Sequence, residues 1–296
     1  MSIVAIASLE AFHEWQRTFD PEIPRAYMLD HVEIPIFCAF GYMAFVVYGQ
    51  AWMRTGSSPT GAKAQSLVRL LAAIWNLLLA VFSIVGALIT LPYLLHVLGT
   101  KGFHHTICTE PASKNYHNPT VWAWVMLFCL SKIPELIDTV WLVLQRKPIV
   151  LLQWFHHLTV MLYCWHSFVV FSPTGLWFAT MNYIVHAFMY SYFFLTYFPS
   201  ARRVVRKFAL LITTLQIAQM IAGIGISIAA FMKMNNSGHG SSENSLCSPL
   251  DPANCKMGLV MYISYFALFA EFFYNSYIVK KISTKAAEAT AQKKRE

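Results

Sequence analysis

Seven apolar runs, near residues 34–53, 70–95, 120–143, 150–171, 176–197, 208–232 and 257–279, alternate with short polar connections along this chain. Each run is long enough to cross about 30 Å of hydrocarbon as a helix. The pattern therefore predicts an all-α polytopic membrane protein with seven transmembrane helices. The first 31 residues are mixed and polar, with one amphipathic turn around Leu9 to Phe19. No connection is long enough for a second domain. The expected division is a polar segment over 1–31, a seven-helix membrane domain over 32–281 and a basic tail over 282–296.

Polar residues interrupt four of the runs at helical spacing. Gln153, His156 and His157 share one sector of roughly 100° if their segment is a helix. Lys132, Glu135, Asp138 and Thr139 are spaced by three and four, Asn182, His186 and Tyr190 by four, and Thr213, Gln216 and Gln219 by three. Ionisable groups at membrane depth face a bundle interior and mark functional sites. Neutral amides and hydroxyls also serve as interhelical glue worth about 0.6 kcal/mol apiece, a role that suits the Thr213 ridge as well as function does. Counted from each cytosolic helix end at 1.5 Å per residue, Asp138 lies about 8 Å deep, Thr213 about 9 Å, His156 about 10 Å, Gln216 about 14 Å and His186 about 16 Å. The four ridges converge on one layer.

Composition and charge sharpen this picture. The chain is 57% hydrophobic and 12% charged, against roughly 25% charged in soluble domains. No positively charged segment precedes the short apolar run Ile3 to Leu9 and no cleavage signal follows it, so no signal peptide is expected. The net charge of +8 is carried by particular loops, which points to a membrane face and not to nucleic acid. Lysines and arginines number 15 on one set of alternate connections and 6 on the other, which puts the carboxy terminus in the cytosol and the amino terminus across the membrane. Cys108, Cys247 and Cys255 then share the non-cytosolic side, where a bridge from Cys108 to Cys255 or Cys247 can persist. No CxxC pattern suggests a metal site.

Three kinds of chemistry fit a histidine-bearing layer. A di-iron desaturase or hydroxylase needs more converging histidines than are at hand. His104, His105, His117 and His239 fall on the far side, His13 and His31 precede the first run, and His166 lies about 15 Å along its helix from His156. A transporter with a polar pocket could use histidines as proton relays. Acyl transfer would use one as nucleophile or base where a lipid tunnel meets a basic mouth. Cys164, two turns beyond His156, is a rival nucleophile, although buried membrane cysteines are usually inert.

Lys132-x-x-Glu135-x-x-Asp138-Thr139, the box Gln153-Trp154-Phe155-His156-His157, Asn182-x-x-x-His186-x-x-Met189-Tyr190 and Thr213-x-x-Gln216-x-x-Gln219 resemble, in order and spacing, the four signatures of the ELO family of very-long-chain fatty acid elongases. The resemblance covers roughly residues 30 to 281. It implies a 3-oxoacyl-CoA synthase of the endoplasmic reticulum that condenses an acyl-CoA with malonyl-CoA and releases carbon dioxide and CoA. It also implies seven helices, the last six forming a barrel around an acyl tunnel, with no metal and no cofactor. His156 then corresponds to a nucleophile that forms an acyl-imidazole. His157 and His186 position it, handle protons or stabilise an enolate, Asn182 and Lys132 support them, and Asp138 orients a histidine. Gln153, Glu135, Tyr190, Gln216 and Gln219 are the implied substrate-lining residues, and Arg206, Lys207 and Lys280 the implied cations for CoA phosphates. Membrane lipid and the ketoacyl reductase, dehydratase and enoyl reductase of an elongation cycle are the implied partners.

One departure stands out: the box begins with Gln153 where family members commonly have histidine, so this position should orient a neighbour and not react. The variant is known in the family. Leu158 to Tyr163 looks like the branch acting on saturated and monounsaturated chains, and Trp177 or Phe231 could close the tunnel's far end. Lys293-Lys294-Arg295-Glu296 resembles a dilysine retrieval signal.

Overall fold

The computed structural model describes residues 3–54, 62–109, 118–237 and 250–279. Among these residues the regular elements are helices: α1 Ile3–Arg17, α2 Glu22–Asp30, α3 Glu33–Arg54, α4 Ala62–Cys108, α5 Pro119–Ser131, α6 Ile137–Leu144, α7 Leu151–Val169, α8 Gly175–Leu195, α9 Pro199–Val205, α10 Ala209–Ser237 and α11 Pro252–Phe273. Four stretches, Glu33–Arg54, Lys63–Cys108, Pro199–Met234 and Pro252–Val279, are long and apolar enough to cross a membrane. Their outer faces carry Phe37, Phe40, Tyr48, Leu88 and Val260, all largely exposed. Large apolar side chains turned outward along whole helices suit contact with lipid, where a helix also satisfies its own backbone hydrogen bonds. The protein is a polytopic membrane protein.

Three expectations need correction. The first 31 residues hold two docked helices where one amphipathic turn was expected. Trp124 Nε1 donates to Gln16 Oε1 at 2.8 Å, Arg25 Nε to the Val169 carbonyl at 2.7 Å and Trp165 Nε1 to the Met28 carbonyl at 2.9 Å. These tertiary bonds hold α1 and α2 against the bundle, which polar composition alone could not reveal. The run expected over 120–143 is broken: α5 stops at Ser131 and a 3-10 turn over Pro134–Leu136 precedes α6. Pro134 has no N–H to donate and its ring crowds the carbonyl four residues back, so the helix cannot pass through unchanged. The run over 70–95 instead continues to Cys108, with a break at Gly102, whose φ of 81° suits glycine.

The cysteines also correct an expectation. Cys108 is disulfide-bonded, but Cys255 is a free thiol and is excluded as its partner. Cys247 lies outside the described residues.

Helix α4 packs most extensively on α8, and α8 on α10; α10 packs on α11, α11 on α7, α7 on α5 and α5 back on α4. The α4–α8 approach is close because Gly86 leaves room for the Tyr183 ring, whose hydroxyl donates to the Trp124 carbonyl at 2.9 Å. A Cβ at Gly86 would stand 2.5 Å from that buried ring. Gly86→Ala should therefore cost about 1–3 kcal/mol, measured as a lower melting temperature of the purified protein in detergent. Gly225→Ala, where a Cβ meets open space, serves as the neutral control.

Candidate active site

A cavity of about 820 Å³ lies between α4, α6, α7, α8, α10 and α11. Its wall includes His156, His157, His186, Asn182, Asp138, Gln153, Tyr190, Thr213, Gln216, Gln219 and Arg206. The polar ridges of four separate sequence segments thus meet in one space.

The polar side chains are held by a connected set of hydrogen bonds. Lys132 is almost fully buried and donates from Nζ to Glu135 Oε1 at 2.7 Å and to Asn182 Oδ1 at 3.1 Å. Its ammonium also sits 4.2 Å from the centre of the Phe128 ring, a favourable cation–π placement. Ser131 Oγ is a second donor to the same carboxylate oxygen, 2.9 Å from Glu135 Oε1. A lysine can only donate, so Asn182 must turn its oxygen to Lys132 and its NH₂ to the far side. There Asn182 Nδ2 donates to His186 Nε2 at 3.2 Å, which places the His186 proton on Nδ1.

His157 is tied separately. Gln153 Nε2 donates to His157 Nε2 at 2.9 Å, which ties the amide at the head of the box to a neighbouring imidazole. Asp138 was expected to orient a histidine, yet its Oδ2 stands 3.9 Å from His157 Nε2, beyond a direct hydrogen bond. Its carboxylate instead accepts from Trp75 Nε1 at 2.7 Å and from the Tyr190 hydroxyl at 2.8 Å. His156 differs from both other histidines. Its ring packs 4.7 Å from the Tyr265 ring centre, and neither ring nitrogen has a hydrogen-bond partner among the described residues.

Several expected positions stand elsewhere. Glu135 is not a cavity-lining residue; it lies behind the wall, paired with Lys132. Lys132 stands there too and supports Asn182 from behind. Lys207 does not line the cavity, while Arg69, Lys147 and Arg202 join Arg206 in doing so. Partial burial, then the charges of Arg69 and Arg202, hold the Lys147 ammonium below the usual lysine range. Lys280 lies outside the described residues. Sequence alone did not point to Trp75, although an indole N–H within an apolar helix must find an acceptor, nor to Arg69 or Lys147 as cavity residues, because helix-end cations are common to every membrane protein; Arg202 was among the cations available at that mouth.

Fold and cavity together define a multi-pass helical membrane protein with a histidine-bearing pocket that runs to a cluster of cations at the helix ends. The chain belongs to the GNS1/SUR4 family (ELO), whose sequence model matches residues 27–285. It is 37% identical to fatty acid elongase 3 of Trypanosoma cruzi, over 98% of this chain and 99% of that one. It is 36% identical to very long chain fatty acid elongase 6 of Drosophila melanogaster, over 99% and 88% of the two chains. Its identity to very long chain fatty acid elongase 6 of Homo sapiens is also 36%, over 93% and 96%.

Replacing Lys132 with methionine would strand the Glu135 carboxylate inside the bundle. Such a loss of one partner should cost about 3–5 kcal/mol, read as a drop in melting temperature. The double variant Lys132→Met with Glu135→Leu should regain most of that stability but not activity, because Asn182 would no longer be turned toward His186.

Proposed function

We infer that this protein is a fatty acid elongase that condenses a long-chain acyl-CoA with malonyl-CoA to give 3-oxoacyl-CoA, carbon dioxide and CoA. The names of its relatives support the elongase assignment. The observation that carries the mechanism is the contrast among the three histidines: His157 and His186 each have Nε2 engaged by an amide, whereas His156 lines the same cavity with both ring nitrogens unengaged.

A neutral nitrogen of His156 attacks the acyl thioester carbon and expels CoA thiolate, which takes up a proton. The acyl group is now held as an acyl-imidazole. Loss of carbon dioxide from malonyl-CoA leaves the bond electrons on the thioester enolate, and this carbanion attacks the acyl carbon, forming the 3-oxo product while the departing His156 imidazole takes up the one proton that the overall reaction consumes. His186, with Nδ1–H fixed by the Lys132–Asn182 relay, and His157 are placed to donate to developing oxyanions or relay protons. Each step balances without a metal or redox cofactor. Arg69, Lys147, Arg202 and Arg206 supply cations for CoA phosphates.

The arrangement that fits this reading is seven spans, with the last six around the acyl path; the cyclic packing of α4, α8, α10, α11, α7 and α5 supports it. The basic helix ends then face the cytosol at the endoplasmic reticulum membrane, where other elongation-cycle enzymes would take the product. The tail bearing the dilysine pattern lies outside the described residues.

The direct test supplies purified protein with malonyl-CoA and a labelled acyl-CoA. The wild type should release carbon dioxide and form a product two carbons longer, and His156→Ala should lose more than about a thousandfold in rate. An acyl adduct trapped on another residue, or solute movement across sealed vesicles without condensation, would overturn the assignment. A second prediction concerns Lys147. A bound phosphate favours its charged form, so affinity should fall as pH rises through its lowered pKa, and KM for acyl-CoA should climb earlier than an ordinary lysine would dictate. Lys147→Arg stays charged and should flatten that limb of the KM profile.

A further inference from the structure

One face of α4 enters the reaction cavity. Arg69, Ala72, Ala73 and Asn76 all belong to the wall, and their spacing by three and four puts them within one sector of about 100°. Arg69 stands at the helix end that bears the other cations, close enough for its charge to act on Lys147. Asn76 closes the series. The wall takes nothing from α4 beyond it, and on the next turn Leu79 and Ala80 pack with the Tyr190 ring instead. The open face of this helix thus runs from a cation, past two alanines, to an amide.

The amide is set in one orientation. Asn76 Nδ2 donates to the Ala72 carbonyl of its own helix at 2.6 Å, so Oδ1 is the atom left to accept. It has no hydrogen-bond partner among the described residues, and the residue is only part-buried. Counted from the cation-bearing helix ends at 1.5 Å per residue, Asn76 lies about 9 Å in and His156 about 10 Å. An unshared acceptor therefore stands in the layer of the nucleophile, and no step of the condensation uses it.

We propose that this face of α4 is the track for the pantetheine arm of CoA, with Arg69 on a CoA phosphate and Asn76 Oδ1 accepting the N–H of the amide nearest the sulfur. The inference rests on the acyl-CoA reading of the cavity. Lengths agree with it. Arg69 and Asn76 are separated by about 10.5 Å of helix. A CoA phosphorus and that amide nitrogen are separated by about ten bonds, about 12 Å when extended, and the long arginine side chain spans the difference. From the same nitrogen the thioester carbon is about four bonds, or about 5 Å, away, so the arm can leave α4 at Asn76 and turn across the cavity toward His156. A secondary amide drawn out of water needs an acceptor for its N–H, and an amide oxygen supplies one without adding charge. Because the first CoA leaves before malonyl-CoA reacts, one track serves both substrates in turn.

The test compares acyl-CoA with an analogue in which an ester replaces the amide nearest the sulfur, keeping the carbonyl and dropping the N–H. The wild type should prefer the amide by about tenfold in kcat/KM, whereas Asn76→Leu should treat the two alike, a ratio that general damage to the fold does not move. Asn76→Leu should also raise KM for acyl-CoA and malonyl-CoA together. Acyl-pantetheine, which lacks the CoA phosphates, reads the other end: Arg69→Gln should weaken acyl-CoA more than acyl-pantetheine and keep the amide preference. An amide preference that survives Asn76→Leu, or an Arg69→Gln loss equal for both thioesters, would overturn the proposal. Unreactive thioether analogues carrying the amide or the ester, read as the rise in melting temperature on binding, separate this from the reaction itself. A wild type that favours the amide there but does not condense would count against the condensing reaction and leave the track standing; condensation without any amide preference would overturn the track alone.

Discussion

An ammonium group in a hydrocarbon-filled bundle has very few acceptable surroundings, and the surroundings of Lys132 dictate much of this site. Its charge must be met by Glu135 and its remaining donors by Asn182 and the Phe128 ring. Leaving any of these out would expose an uncompensated charge at a depth where water cannot compensate. The result is directional. A residue that only donates fixes the amide of Asn182, the amide fixes which nitrogen of His186 accepts, and the proton of a buried imidazole is thereby placed two side chains away from the charge. The break at Pro134 serves the same network: Lys132 caps the end of α5, Glu135 lies in the 3-10 turn over Pro134–Leu136, and the two side chains meet across the break at 2.7 Å.

The same economy explains why the cavity changes character along its length. At the helix ends it is lined by cations, and Lys147 is lowered first by its partial burial and then by the charges of Arg69 and Arg202, so an anion there offsets both effects. At mid-depth it is lined by amides and imidazoles whose hydrogen bonds are made within the protein. Its apolar wall is supplied by Val185, Met189, Ile212, Met220 and Phe269. A molecule with a polyphosphate head, a reactive thioester and an apolar tail finds surroundings of matching chemistry for each of its parts along this wall.

Much of this was legible in the sequence because helical spacing and membrane cost act together: residues such as His156, His186 and Asp138 are too expensive in lipid to point anywhere but inward, and a fixed rise per residue converts position to depth. What escaped was set by tertiary contact. Glu135 carries the same spacing signal as Asp138, yet one faces its lysine and the other faces the cavity, a difference created by the Pro134 turn. Trp75 lies in a run so apolar that only its indole N–H hints at a partner, and that partner, Asp138, is 63 residues away. The docking of α1 and α2 likewise depends on single bonds from Gln16 and Arg25 that no periodicity announces. Helices α7 and α8, which carry most of the chemistry, are absent from the four most membrane-like stretches, since the polar residues that make the site also lower their apolar character.

Gln153 shows how the box can begin with an amide and still serve three histidines. An imidazole in its place could hold His157 by a similar bond, but it would also bring a further titratable group beside the reacting one. A primary amide donates and accepts while staying neutral at every relevant pH, so it restrains His157 without competing for protons. The restraint matters because His156 and His157 are adjacent on α7 with ring planes almost perpendicular, 89° apart. Were His157 free to rotate, it could hydrogen-bond its neighbour and occupy the nitrogen that has to attack. With His157 Nε2 bound to Gln153 and His186 Nε2 bound to Asn182, His156 is the one of these three imidazoles with both nitrogens unengaged among the described residues, and the surrounding hydrogen bonds select the nucleophile by engaging the accepting nitrogens of its rivals.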